Sequence, residues 1–330
     1  MEENINVIPQ PASKPELDQL REAVNRIKQE VHKFIVGQEQ MIDLMVTAIL
    51  SNGHVLIEGV PGVAKTLSAK IIARCISANF SRIQFTPDLM PSDILGTNIF
   101  NFKNSDFEFR RGPIFSNIIL IDEINRAPAK TQAALFEVME ERQASIDSKT
   151  YIMEEPFIVF ATQNPIEHEG TYRLPEAQLD RFIYKIEVHY PSLEEEIKIL
   201  NDFHERGGLN DLNDIKAVLN VADLKTYQQA VRRVHIEPKL LEFIARLTAK
   251  TRDNVDLYVG ASPRASLALL TASKALAAIR GRDFVTPDDI TYTTKAVFRH
   301  RIVLTPEKEM EGSTANEVID NIIKSVEVPR

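Results

Sequence analysis

A single cysteine, Cys75, leaves nothing for an internal disulfide and no basis for a cysteine-built metal cluster. It falls in an apolar helical stretch, where a thiol serves as a small buried side chain. Basic residues do not dominate either. Thirty-nine Lys and Arg stand against 47 Asp and Glu, a net charge of −8, so the broad cationic footprint of a nucleic-acid-binding protein is missing. That sum still permits local basic residues in a pore. No run is long and apolar enough to span a bilayer, and the N-terminus has no signal-peptide pattern, which together predict a cytoplasmic protein. No long internal repeat is visible. What remains, 44% hydrophobic and 26% charged residues, is ordinary for a globular chain, and 330 residues predict about two domains.

The chain is organised around one stretch. Val55-Leu56-Ile57 is a β-branched, apolar run that reads as a buried strand. Gly59, Pro61 and Gly62 break it, and a helical pattern begins near Lys65 and continues to about Ile76. A strand, a glycine-containing loop and a helix opening on Lys65-Thr66 form a nucleotide phosphate loop. Its backbone N–H groups and helix N-terminus cradle an anion. Lys65 reaches the outer phosphates and the Thr66 hydroxyl ligates Mg²⁺. Ala64 stands where the last glycine of the usual pattern is expected. If that position opens the helix with negative φ, a methyl group costs little there, and Gly59 and Gly62 take the unusual dihedrals. Taken alone, an ordinary Gly-Pro turn before a helix reads the same way.

Residues 1–14 look like a loose tail rich in Asn, Gln and Pro. Leu17, Leu20, Val24, Ile27 and Val31 then form an amphipathic helical stripe, and a second amphipathic helix is expected over residues 38–50. Arg82-Ile83-Gln84-Phe85 reads as a strand. Residues 93–115 read as an insertion containing a β-hairpin, whose aromatic side chains are expected in a core rather than on a partner surface. A second hairpin is expected at 143–154, turning near Asp147-Ser148-Lys149. Apolar strands at 117–121, 157–162 and 184–188, separated by helices, argue for a parallel sheet covered on both faces. Tyr190-Pro191 marks the boundary. Beyond it Ser192-Leu193-Glu194-Glu195 is a capping box, Thr286-Pro287-Asp288-Asp289 starts another helix, and the region reads as helical.

Phosphoryl transfer to water needs a cradle, a metal, a positioned water and a cation at the transition state. Asp122 and Glu123 end a buried strand. Asp122 would support Mg²⁺, and Glu123, facing elsewhere, would orient and deprotonate water. Two acids capping a strand at a sheet edge is the plainer account. Asn164 would touch the water or the γ-phosphate if its strand lies beside that of Asp122, although an Asn before Pro165 is also a turn former. Arg181 would supply charge from a neighbouring subunit, or else pair within the chain with Asp180 or Glu176. Arg264 sits in the first turn of a helix capped by Ser262-Pro263, where a cation opposes the helix dipole. Such a placement suggests a nearby anion such as the γ-phosphate; a solvated arginine would bear only a small penalty.

With these residues in order, the chain resembles the AAA+ ATPases, and within them the MoxR family. The resemblance rests on Gly59-Val60-Pro61-Gly62-Val63-Ala64-Lys65-Thr66, Asp122-Glu123-Ile124-Asn125-Arg126-Ala127-Pro128, Leu174-Pro175-Glu176-Ala177-Gln178-Leu179-Asp180-Arg181-Phe182 and Gly260-Ala261-Ser262-Pro263-Arg264-Ala265. It covers nearly the whole chain after Leu17, and Ala64 is typical of the family. The resemblance implies an α/β fold: a flexible tail at 1–16, a P-loop AAA+ parallel-sheet sandwich at 17–190 and an all-α lid domain at 191–330. The chains would assemble as a ring, often a hexamer, with ATP bound between subunits. Gly59 to Thr66, with Leu67, then match Walker A, Asp122 and Glu123 match Walker B, and Thr66 and Asp122 hold Mg²⁺ with the ATP. Asn164 matches sensor 1, Arg181 the arginine finger and Arg264 sensor 2, while Val36 and Gly37 occupy the adenine side. Members act as chaperones that remodel or help metallate protein partners, often ones with a von Willebrand factor A domain. The other readings are a nucleic-acid motor or loader, a nucleotide-gated scaffold that does not hydrolyse, and a metal-chelatase-type subunit.

Overall fold

Helix and strand follow the hydrophobic pattern closely. The computed structural model describes residues 13–147, 149–165, 170–206 and 212–329. Lys14–His32 (α1) and Glu39–Leu50 (α2) precede strand His54–Gly59 (β1) and helix Lys65–Cys75 (α3). Phe80–Gln84 (β2), Pro91–Leu95 (α4) and the hairpin Gly96–Asn101 (β3) with Asp106–Arg111 (β4) come next. Ile118–Asp122 (β5), Ala129–Glu141 (α5), the hairpin Gln143–Ile146 (β6) with Lys149–Ile152 (β7), Ile158–Gln163 (β8), Glu176–Leu179 (α6) and Phe182–Val188 (β9) complete the first part. The helical part contains Leu193–Glu205 (α7), Val221–Arg232 (α8), Pro238–Arg252 (α9), Leu257–Val259 (β10), Pro263–Ile279 (α10), Pro287–Phe298 (α11), Val303–Leu304 (β11), Pro306–Met310 (α12) and Ala315–Ser325 (α13).

Five strands form one parallel sheet in the order β2-β5-β8-β1-β9. Neighbouring residues on a strand point to opposite faces, and this alternation divides the core in two. On one face Val55, Ile57, Ile118, Leu120, Ile158 and Phe160 pack with α1, α2 and α3. On the other, Leu56, Ile119, Ile121, Val159 and Ala161 pack with Leu135, Phe136 and Met139 of α5. The first cluster continues without interruption into Phe243, Leu269, Leu276, Phe298 and Ile322, so the helical part shares its core with α1 and α2. Among the described residues no helix is long and apolar enough to cross a membrane.

Several expectations are corrected. Residues 1–12 of the expected tail lie outside the described residues, but 14–16 already belong to α1, with Ser13 at its N-cap and a proline in its first turn. The helix over 38–50 is amphipathic only in its first turns, where Glu39 and Gln40 are exposed; Met41, Ile42 and every residue from Leu44 to Leu50 are buried, because it lies between the sheet and the helical part. That part also holds an antiparallel strand pair, β10 with β11. The hairpin aromatics are not core. Phe100, Phe102 and Phe107 are 40%, 88% and 65% exposed, since a two-stranded hairpin standing off the sheet has no layer to cover its outer face. Only its root is packed, where Phe109 stacks on Tyr151 of the second hairpin with ring centroids 4.3 Å apart. The turn of that second hairpin includes residue 148, outside the described residues.

His54 fixes the first residue of β1. Its Nδ1 accepts the Val159 N–H at 3.0 Å, and Nε2 faces the Met139 carbonyl at 3.2 Å, which requires the neutral, Nε2-protonated ring. Burial, and then the nearby Arg142 charge, lower its pKa to about 3. The unfolded chain, with an ordinary histidine, binds the extra proton below about pH 6.5. Stability contributed by the neutral ring is therefore complete above pH 6.5 and is lost as the pH falls toward about 3. Urea unfolding between pH 7.5 and 5 should show falling stability, with a shallower slope in His54→Gln; an unchanged slope in that variant contradicts the assignment.

Candidate functional site

Because all five strands are parallel, the residues that follow them gather at one edge of the sheet. The loop after β1, Asp122 at the end of β5 and Asn164 just after β8 meet there around a cleft of about 410 Å³. Pro61, Gly62, Ala64, Lys65, Thr66 and Leu67 form one wall, and Asp122, Glu123 and Asn164 form the other. Gly62 has φ +87°, and a Cβ there would meet nothing within 4 Å, so the position needs glycine for its backbone angle alone. Gly59 is needed for space: a Cβ would lie 2.7 Å from the Val188 carbonyl of the adjoining strand. The expectation for Ala64 is wrong. It is the N-cap of α3 with φ 62° and ψ 20°, a left-handed residue rather than a first helical one. The phosphate loop therefore carries strain where most such loops place glycine.

Asp122 is 5% exposed and gathers three donors. Thr66 Oγ1 and Thr162 Oγ1 reach its Oδ1 at 3.0 and 3.1 Å, and Arg82 Nε reaches Oδ2 at 2.7 Å. Glu123, one residue on, adopts φ 59° and turns away from Asp122. Its backbone N–H donates to Thr162 Oγ1 (3.1 Å), Gln84 Nε2 donates to its Oε2 (2.9 Å), and Arg126 forms an ion pair with the same oxygen (2.9 Å). The left-handed conformation is what turns two adjacent carboxylates toward different partners. Lys65 lies across the loop with its Nζ on the Gly59 carbonyl.

Beside the phosphate cleft lies a second of about 270 Å³, lined by Phe34, Ile35, Val36, Gln38 and the loop residues Gly62, Val63, Ala64 and Leu67, and closed by Ile199 and Phe203 of α7. Its apolar walls suit a planar base. Val36 lines it; Gly37 does not, and sits in a left-handed turn (φ 65°) beneath Glu195. Val60 faces neither cleft and turns, with Gly59, toward β9.

The two arginines are elsewhere. β9 begins at Phe182, paired with His54, whereas the phosphate loop follows Gly59 at the far end of β1. Arg181 is thus about five residue steps, roughly 16 Å, from the loop along the sheet, beyond the reach of its own side chain. It pairs with neither Asp180 nor Glu176: its Nε donates to Glu140 Oε2 at 3.0 Å. Arg264 is indeed in the first turn of a helix capped by Ser262, yet its counter-charge is also Glu140, at 2.6 Å, and it does not line the phosphate cleft. Asp180 holds Ser262 Oγ (2.9 Å) and Arg301 Nε (2.7 Å), and Arg301 also donates to the Phe182 carbonyl at 2.6 Å. The arginine segment is therefore bonded directly to the N-cap of α10 and to the turn that follows α11.

The cleft fits a nucleoside triphosphate with Mg²⁺. It offers a helix N-terminus, a lysine, and the hard oxygens of Thr66 and Asp122 in contact. Among the described residues no group of three or more His, Cys, Asp or Glu could hold a metal, so a cation here draws its remaining ligands from phosphate and water. Arg82, Gln84, Thr162 and Glu140 were not anticipated. Arg82 and Gln84 do alternate on one face of a strand, but only the pairing of Gln84 with Asp122 brings that face to the site.

Residues 54–184 match the family model of ATPases associated with various cellular activities (AAA), and residues 249–322 match the AAA lid domain. Chaperone MoxR1 of Mycobacterium tuberculosis is 46% identical over 310 residues, covering 91% of this chain and 81% of that protein. Protein MoxR of Methylorubrum extorquens is 28% identical, covering 93% and 94%. A crystal structure of a candidate ATPase from Cytophaga hutchinsonii superposes with a TM-score of 0.88 at 39% identity, covering 96% of this chain and 98% of that one.

The strain at Ala64 is measurable. Ala64→Gly should raise the unfolding free energy by about 0.5–1 kcal/mol after the extra unfolded-state freedom of glycine is subtracted. A lower urea midpoint than the unchanged protein would contradict the left-handed assignment.

Proposed function

The chain belongs to the MoxR family of AAA+ ATPases, and on that premise we propose that it hydrolyses ATP at the seam between two copies of itself in a ring and uses the cycle to remodel a protein partner. The observation that carries this reading is that the phosphate cleft and Arg181 stand at opposite ends of one sheet, with Arg264 sharing Glu140 with Arg181. Surfaces at opposite ends meet only head to tail, and a head-to-tail contact that closes makes a ring. A hexamer is the size the resemblance favours.

Within the seam the work divides by residue. Backbone N–H groups of the loop and Lys65 bind the β- and γ-phosphates, while Thr66 and Asp122 would hold Mg²⁺, which when bound would offset the phosphate charge. Glu123, steadied through Oε2 by Gln84 and Arg126, uses Oε1 to take the proton of a water as its oxygen attacks the γ-phosphorus. ADP leaves with the electron pair of the broken P–O bond. Asn164 orients that water or a γ-oxygen, and Arg181 of the neighbouring copy meets the charge of the transition state. Arg264 acts at the same seam. The relative in Mycobacterium tuberculosis is named a chaperone, and the exposed Ile99, Phe100, Phe102 and Phe107 give this chain an apolar surface for a protein client. A partner with a von Willebrand factor A domain is the class we favour.

Glu123→Gln should bind ATP and barely turn over, as read by filter binding beside phosphate release; normal turnover removes Glu123 from its role. Arg181→Ala alone should lose about 10³-fold or more in turnover, and Lys65→Ala should be inactive. Mixed, the two should regain activity, because roughly a quarter of random contacts pair an intact loop with an intact arginine face. A mixture as inactive as its components contradicts the shared seam.

A further inference from the structure

Glu140, one residue before the end of α5, has no part in the chemistry above, yet both arginines end on it. Arg264 spends its two-pronged end there, with Nη2 on Oε1 at 2.6 Å and Nη1 on Oε2 at 3.3 Å. Arg181 gives only its Nε, at 3.0 Å, and its Nη groups make no other hydrogen bond within the described residues. The carboxylate thus holds Arg181 by its root and leaves unspent the fork that matches phosphate oxygens. Phe136, one turn back on α5, lies 5.8 Å from the same guanidinium and restricts it from another side. Without the carboxylate the two guanidiniums, with Arg301 nearby on Asp180, would repel one another.

We propose that Glu140 is a positioning residue for the seam reaction. It keeps Arg181 in the rotamer that presents its fork to the neighbouring copy. It also ties that aim to the lid, because Arg264 belongs to α10 and Arg181 to the sheet domain. The proposal rests on reading Arg181 as the residue donated across the seam.

Glu140→Gln preserves shape and removes the charge. It should lower turnover about 10–100-fold, the scale of a misplaced catalytic group, with ATP affinity unchanged and the unfolding midpoint lowered only slightly, because both guanidiniums are partly solvated. Glu140→Asp should recover part of the loss. The deciding measurement mixes Glu140→Gln with Lys65→Ala, whose intact arginine face then meets an intact phosphate loop; turnover should rise above that of either alone. Full turnover by Glu140→Gln overturns the proposal. So does a loss that mixing does not restore while Arg181→Ala with Lys65→Ala is restored, since Glu140 then acts within its own chain. If neither mixture recovers, the shared seam itself is wrong and this proposal falls with it.

Discussion

In a parallel sheet every strand delivers its following loop to the same edge, and whatever precedes a strand is left at the other. That constraint divides this molecule. The phosphate loop follows β1, Asp122 ends β5 with Glu123 just after it, Asn164 follows β8, and all are collected into one cleft. Arg181 precedes β9 and is left beside the start of β1. The sheet's own direction therefore keeps Arg181 out of its own chain's cleft, which is why the proposed mechanism draws that arginine from another copy.

Around the cleft, the fold holds backbone conformations that its residue types do not favour. Ala64 and Glu123 are both left-handed. Each such residue costs on the order of 1–2 kcal/mol, and each has a visible result. At Ala64 the chain turns from the loop into α3; at Glu123 the side chain is carried off the Asp122 direction. The conformation at Glu123 is held from a buried strand: Thr162 of β8 serves both acids at once, donating to Asp122 and accepting from the Glu123 backbone.

Much of this was legible in the chain because it is local. Val55-Leu56-Ile57 followed by glycines and Lys65-Thr66 has few other structural solutions, and Ile118 to Glu123 reads as a buried strand ending in acids. The left-handed Ala64 was missed because residue type alone does not report φ, and alanine ordinarily argues for a helical interior. The exposed Phe100, Phe102 and Phe107 were assigned to a core because aromatic composition says nothing of whether a neighbouring layer exists to cover it. Arg82, Gln84 and Glu140 were missed for a third reason. Their partners lie 40, 39 and at least 41 residues away in sequence, and only strand order and helix packing bring them together.

On the proposed mechanism no copy of this chain is a complete catalyst alone. Turnover per chain, measured with saturating ATP and Mg²⁺ across dilution from micromolar to low nanomolar protein and followed beside sedimentation, tests it most directly. Turnover should collapse as the assembly dissociates. Constant turnover per chain, in samples shown to be monomeric, would contradict it.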